Sequence, residues 1–321
     1  VHDRIRISWY LFQVPDSVAA WKYINEGDSI ADRSKNPILK GIVYEHMGYL
    51  HSRIFSKKAI TFYLQAENIL RNFPNSIAAK KSMASLALNI GIEHMNATDM
   101  EGALSSYFEG IRRYEAFDSN NKNLPVLYAS IISTYYNLGK YETALGYCER
   151  SYAKSMEMGN AASIMSSCIN YGRVLLKLHK PEKADIYFSK GKAMADSLNN
   201  PYFQSKYYQV IGNAKFEEKK YDDALSYFST ALPIIKLTNA PFDIASCYLW
   251  LGICKAYVKN FKAGRVYLDS AYAIALQSDY IHIRKDVYLN RYLLEKEAGN
   301  SASSINYLDS FNVINDSLKL A

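Results

Sequence analysis

The sequence predicts an all-α protein, an α-solenoid of about eight antiparallel helix pairs. A small residue follows a turn once in every forty residues or so, apolar residues flank it at helical spacing, and helix breakers separate the stretches. The small residues are Ala20, Ala59, Ala103, Ala144, Ala184, Ala224, Gly264 and Ser304. The gaps between them are 39, 44, 41 and then four times 40 residues. A fixed period of this length indicates an internal repeat, whose helix pairs bury both faces only by stacking on one another.

Each unit is predicted to contain two helices. In the fifth, Cys168, Tyr171 and Leu175 form a helical stripe, "HKP" interrupts it, and a second stripe starts at Ala184. We predict a single array over 1–321, with units of approximately 1–36, 37–76, 77–121, 122–160, 161–200, 201–240, 241–280 and 281–321.

Prolines support these boundaries. Those predicted to precede or open first helices, where the missing N–H is tolerated, are Pro37, Pro125, Pro201 and Pro241. Pro15 and Pro181 are expected in turns within units, whereas Pro233 lies inside a second helix and is expected to kink it.

The repeated small residues predict close contact between the two helices of a pair. In "GNAKFEEKKYDDALSYF" we expect Gly212 to face Ala224, because helices approach closely only where side chains are small. The larger Phe228 is then expected to fill the space between this pair and the next.

These residues resemble the tetratricopeptide repeat (TPR), with its pattern W-x2-L-G-x2-Y, then A-x3-F-x2-A. The second-helix half is matched by Ala59/Tyr63/Ala66, Ala103/Tyr107/Gly110, Ala184/Phe188/Gly191 and Ala224/Phe228/Ala231. The first-helix half is matched by Ile90-Gly91, Ile211-Gly212 and Leu251-Gly252, with Tyr208 and Tyr248 in place of the tryptophan. The resemblance implies a right-handed superhelix. Units of 40 rather than about 34 residues resemble the long-repeat members found in bacterial regulators and sensors.

Composition argues against several functions. The net charge of +7 is scattered, which disfavours direct nucleic-acid binding, and no apolar run approaches the ~18 residues needed to cross a bilayer. The six histidines form no zinc-protease motif, and neither a nucleophile elbow nor a phosphate-binding loop occurs. The four cysteines have no metal-ligand spacing, and we interpret them as small buried hydrophobic residues. We therefore expect no enzyme activity, no metal and no cofactor.

The resemblance places a ligand site on the concave face, which first helices line in this family. The side chains predicted to point into that groove are His46, Tyr49, Arg53, Asn89, Tyr136, Asn170, Arg173, Lys206, Gln209, Asn213, Trp250 and Tyr257. Amides, aromatic rings and a few cations suit an extended peptide. Trp250 is the strongest candidate, because we expect it to have no role in packing between helices. The alternative for each residue is an ordinary solvated helix face.

A carboxylate clamp found in some co-chaperone members is not predicted. Asn170 and Lys206 occupy two of its positions, but Ala129, Ser133 and Val210 occupy the others.

The sequence favours a non-catalytic scaffold that binds a peptide or protein segment. The ending "INDSLKLA" and the Tyr/Asn-rich composition resemble the repeat regions of Bacteroidetes-type regulators, which implies a sensor outside the inner membrane. The alternative is a cytoplasmic peptide-responsive regulator or assembly adaptor. We also expect the chain to be part of a longer protein, attached to a membrane only through a segment beyond it. Ile314 and Leu318 prolong an apolar stripe on the last helix, which predicts a covering element or self-association there. The alternative is that both residues fold over the preceding unit.

Overall fold

The fold was obtained as a computed structural model, which describes residues 1–13, 17–53, 58–238, 240–278 and 280–320. Of residues 12, 13, 17, 18, 53 and 318–320 it describes the backbone alone. The described residues form sixteen helices and no strand, which confirms the all-α prediction. They divide into two compact units, Val1–Met158 and Gly159–Ala321. The eight predicted repeat boundaries within one array stay a prediction.

The first unit is a succession of helices in which chain neighbours pack against each other. Its helices are α1 (His2–Gln13), α2 (Ser17–Ser34), α3 (Pro37–Arg53), α4 (Lys58–Leu70), α5 (Ile77–Asn96), α6 (Met100–Phe117), α7 (Leu124–Asn137) and α8 (Tyr141–Glu157). The first helices of neighbouring pairs also touch, α1 on α3 and α3 on α5.

The second unit is built in the same way. Its helices are α9 (Ala161–Lys177), α10 (Pro181–Ser197), α11 (Pro201–Glu217), α12 (Tyr221–Lys236), α13 (Pro241–Tyr257), α14 (Phe261–Gln277), α15 (Ile281–Glu297) and α16 (Ser301–Leu320). Contacts of α9 with α11 and of α13 with α15 place first helices beside one another, and we call these four helices the first-helix row. No described helix of either unit is both long and apolar enough to span a bilayer.

Prolines begin the first helices as predicted, at or next to the first residue of α3, α7, α11 and α13. Pro181 departs from expectation, because it opens α10 rather than lying in the turn. Pro233 lies inside α12, and Pro15 lies outside the described residues.

Within several helix pairs, a short turn with one residue in the left-handed region connects the first helix to the second. These residues recur at forty-residue intervals with φ between 57° and 81°, and they are Gly139, His179, Lys219, Lys259 and Gly299. A left-handed residue ends a helix and reverses the chain, so that the second helix returns along the first.

Glycines of first helices lie under large side chains of second helices. A Cβ atom added to Gly172 would lie 2.4 Å from Cε1 of Phe188, and one added to Gly212 would lie 2.9 Å from Cζ of Phe228. This corrects the predicted partner of Gly212, since the ring of Phe228, rather than Ala224, is nearest. Ala224 is nevertheless fully buried. The missing Cβ matters because it admits a flat ring against the helix backbone.

The high tyrosine content follows the repeat. Half-buried tyrosines of second helices lean on tyrosines of first helices at similar ring separations. The pairs and their centroid distances are Tyr208–Tyr227 (6.4 Å), Tyr248–Tyr267 (6.1 Å) and Tyr288–Tyr307 (6.3 Å). A ring that buries its body and exposes its hydroxyl suits the edge of a helix pair.

The last helix differs from expectation. Ile314 is 8% exposed and therefore buried, while the large apolar side chains exposed on the described part of α16 are Ile305 and Val313. The stripe thus turns back onto its own unit at Ile314, which was wrongly expected to be uncovered, and the side chain of Leu318 lies outside the described residues. Self-association through α16 stays a prediction.

Ion pairs connect α15 to α14. Arg265 of α14 donates two hydrogen bonds of 2.7 Å to the carboxylate of Glu295, which is 4% exposed, and Asn300 donates a third. Arg291 is paired with Asp269 and stands over the ring of Tyr307. A buried carboxylate is tolerated here because several donors surround it.

Candidate functional site

Seven of the predicted residues lie in the second unit, on the first-helix row. Four polar side chains of α11 follow one another at spacings of three and four residues, so they share one face of the helix. We call them the α11 stripe: Lys206, Gln209, Asn213 and Glu217. Three of the four were predicted from the sequence.

The two ends of the α11 stripe are ion-paired to neighbouring helices. Lys206 pairs with Asp243 of α13, and Glu217 accepts from Arg173 at 3.2 Å and from Lys177 at 3.1 Å, both on α9. Pairs that remain partly exposed contribute little stability. Their effect is to fix the lateral positions of α9, α11 and α13 relative to one another.

The middle of the α11 stripe is unusual. Gln209 is 7% exposed. Its Nε2 atom and the Oδ1 atom of Asn213 are buried, and neither has a hydrogen-bond partner among the described residues. Most buried polar atoms in proteins are hydrogen-bonded, and an unpaired one costs about 1–3 kcal/mol. The sequence indicated that these residues face the groove, but it gave no sign that they are unsatisfied.

Trp250 packs against other aromatic rings, contrary to the prediction. Its ring stacks on Phe228 of the preceding pair, with centroids 5.7 Å apart and planes 6° apart, and it meets Phe216 of α11 edge-on at 5.3 Å. The expectation that it has no packing role is therefore wrong. The indole thus bridges two neighbouring helix pairs, and it remains half-buried.

Tyr257 lies at the end of α13 and is 52% exposed. Its ring contacts Phe216 at 5.0 Å and Tyr221 at 4.6 Å. Asn170 is half-buried on α9, close to one turn before Arg173. The described part of the second unit thus brings amides, cations and aromatic rings onto three adjacent helices.

The remaining predicted residues belong to the first unit. His46 lies beside a cavity of about 790 Å³, lined mainly by α1, and its Nδ1 is 2.9 Å from the carbonyl oxygen of Ile42. Tyr49 and Asn89 are half-buried, and Tyr136 contacts Tyr141 edge-on at 5.5 Å. The side chain of Arg53 lies outside the described residues.

His51 of α3 lies between two aromatic rings. It lies 5.1 Å from Phe62, nearly parallel to it, and 4.7 Å from Trp21. Burial lowers the pKa of His51, as expected for an imidazole in an apolar contact.

Three further residues on the first-helix row were not predicted from the sequence. Glu217 and Asp243 make the ion pairs described above. Asp286 lies on α15, and burial raises the pKa of its carboxyl. The forty-residue period could have predicted two of them, because each occupies the same repeat position as a predicted site residue. Glu217 lies forty residues before Tyr257, and Asp286 lies eighty residues after Lys206.

Known proteins resemble this chain in fold. No family model matches the sequence. A stretch of 120 residues is 31% identical to Protein FLUORESCENT IN BLUE LIGHT, chloroplastic, of Arabidopsis thaliana. This match covers 35% of each chain, so the chain matches about a third of the length of that curated relative.

Solved structures resemble the chain over most of its length. A Rap protein complexed with Competence and Sporulation Factor has a TM-score of 0.61 at 12% identity, covering 99% of this chain and 98% of that one. The apo form of RapI has a TM-score of 0.57 at 16% identity, covering 88% and 100%. The Rap conjugation gene regulator of plasmid pLS20, in complex with the Phr* peptide, has a TM-score of 0.55 at 11% identity, covering 92% and 94%. At these identities the likeness shows the fold, which is a TPR-like helical repeat.

Proposed function

We propose that this chain is a non-catalytic scaffold that binds an extended peptide or protein segment on the first-helix row of its second unit. The observation that carries the proposal is the α11 stripe, where amides with unpaired buried atoms lie between cross-helix ion pairs. Trp250 contacts the same helix through Phe216. Such a mixture can hold a polypeptide by its main chain and by one apolar side chain.

The neighbouring structures support the same direction. Two of them are complexes, one with Competence and Sporulation Factor and one with the Phr* peptide. By analogy of fold, we infer a regulatory role, as the sensor or interaction region of a bacterial signalling or transcription regulator. The Bacteroidetes-type resemblance of the sequence belongs to this proposal.

The test is selection from a random peptide library on the immobilised chain, followed by fluorescence anisotropy with the enriched peptides. Trp250→Ala is expected to weaken binding by about 2 kcal/mol or more, the scale of an aromatic hot spot. Asn170→Ala and Asn213→Ala should each cost about 1 kcal/mol. Because Trp250 also packs on Phe228, circular dichroism must show that the Trp250→Ala variant is folded at the assay temperature.

Ile186→Ala provides the control, since Ile186 is 56% exposed on α10, a second helix. Enriched peptides that bind all three site variants as tightly as the native chain would place the binding site elsewhere.

A further inference from the structure

The hydroxyl groups of Tyr272 on α14 and Tyr288 on α15 meet where two successive helix pairs pack together. The two phenol oxygens are 2.8 Å apart, so one hydroxyl donates a hydrogen bond to the other. The ring centroids are 5.3 Å apart and the ring planes are 51° apart. Burial raises the pKa of Tyr288 to about 12, and this phenol is therefore protonated at neutral pH. The ring carbons next to the two hydroxyl groups, the ortho carbons, face each other at close range.

Two ion pairs hold the tyrosine rings in this register. Asp269 and Arg291 pair one turn away from the tyrosines along the antiparallel helices, and Arg265 and Glu295 pair at 2.7 Å one turn further on. Arg291 and Glu295 are both buried. All three contacts thus follow one alignment of α14 and α15, and the packing of the two helices fixes the position of the phenols.

Phenol rings that meet edge to edge can be joined by oxidation. Loss of one electron and of the hydroxyl proton leaves a phenoxyl radical, whose unpaired electron is shared between the oxygen and the ortho carbons. Two such radicals couple through their ortho carbons, and the new bond lies in the plane of each ring. The rings of Tyr171 and Tyr187 are closer, at 3.9 Å, but they stack face to face within 8° of parallel and are poorly placed for this coupling.

We propose that Tyr272 and Tyr288 are a modification site at which a one-electron oxidant, such as a peroxidase-generated radical, forms a dityrosine link between α14 and α15. The oxidant takes two electrons, and the two phenolic protons go to water. One carbon–carbon bond forms, and the two ortho hydrogens move to the oxygens, which restores both hydroxyl groups. Both rings are half-buried, which keeps each radical beside its partner. The site is independent of the peptide site proposed above.

The test is brief illumination of the full chain with a ruthenium tris-bipyridyl complex and persulfate at low protein concentration. Persulfate accepts the electrons and is reduced to sulfate. The monomer is then isolated by size exclusion, because exposed tyrosines such as Tyr10 and Tyr257 can couple between molecules. We expect dityrosine fluorescence in the monomer. After digestion, mass spectrometry should find two peptides linked through Tyr272 and Tyr288, lighter by two hydrogen atoms than their sum.

Tyr272→Phe and Tyr288→Phe should each lose the linked peptides and most of the dityrosine fluorescence of the monomer, since phenylalanine forms no phenoxyl radical. Tyr267→Phe is the matched control. Tyr267 is also a half-buried tyrosine of α14, and its ring lies 6.1 Å from that of Tyr248, so this variant should keep the link. The linked native chain should unfold at a higher urea concentration than the untreated chain, because a covalent link restricts the unfolded state.

Three results would overturn the modification site. The first is a monomer without dityrosine after the persulfate has been consumed. The second is dityrosine in the monomer that joins other tyrosines, for example Tyr288 and Tyr307, whose rings are 6.3 Å apart. The third is a lower urea midpoint for the linked chain, which would show that the rings left their native positions in order to couple.

Discussion

Replacing Gly172 by alanine is expected to destabilise the second unit, although alanine is the better helix former. The new Cβ atom would lie 2.4, 2.7 and 2.8 Å from Cε1, Cδ1 and Cζ of Phe188. Unstrained carbon atoms are about 3.5–4.0 Å apart. Phe188 is 6% exposed, so its ring cannot move into solvent. Overpacking of this kind costs about 1–3 kcal/mol, and helix propensity offsets about 1 kcal/mol of it. The expected net loss is up to about 2 kcal/mol.

The assay is urea unfolding followed by circular dichroism, with Gly146→Ala as the control. Gly146 lies inside α8, and a Cβ atom there would meet nothing within 4 Å, so this variant should gain about 0.5–1 kcal/mol. If both glycine variants become more stable, the contact under Phe188 is not tight and the reasoning fails.

Three further predictions concern the core and its ionisable groups. Ala224→Phe overfills a fully buried position and should cost about 1–3 kcal/mol or more; an unchanged urea midpoint would show that the seam is misplaced. The Arg265 guanidinium lowers the pKa of Glu295 below its ordinary value of 4.5. The ionised carboxylate therefore stabilises the fold at pH values above 4.5, and this contribution is lost as the pH falls through the lower pKa of the folded state. Glu295→Gln should therefore flatten the acid limb of the unfolding free energy plotted against pH, whereas exposed Glu297→Gln should leave it unchanged. Burial raises the pKa of Cys148, Cys247 and Cys254 to about 12 and that of Cys168 to about 11. At about pH 8 a thiol-reactive disulfide dye should label all four in urea and none in the folded chain; rapid labelling without urea would contradict their burial.

The spacing of small residues and helix breakers was enough to predict the helix pairs, although the predicted partner of Gly212 was Ala224 rather than Phe228. Sequence spacing also placed Lys206, Gln209 and Asn213 on one face, since a helix fixes which residues share a side.

Sequence spacing did not predict which residues the end of a long side chain contacts. Trp250 reaches Phe228 in the preceding pair, and that distance depends on how pairs stack rather than on the period of one helix. Ile314 was expected to be uncovered for the same reason, since its burial depends on how α16 lies against its partner. The unpaired atoms of Gln209 and Asn213 depend on every neighbouring donor and acceptor, which no local pattern contains.

The position of Trp250 also allows the second unit to be followed by tryptophan fluorescence. The chain has three tryptophans, and Trp9 and Trp21 belong to the first unit. Replacing those two by phenylalanine would leave a single indole emitter, stacked on Phe228 and in contact with α11 through Phe216. Its emission wavelength would report the polarity at this contact between α13 and α11, and the surrounding tyrosines would transfer excitation to it. The same ring that joins two helix pairs would then serve as an intrinsic fluorophore for the candidate site, without any attached dye.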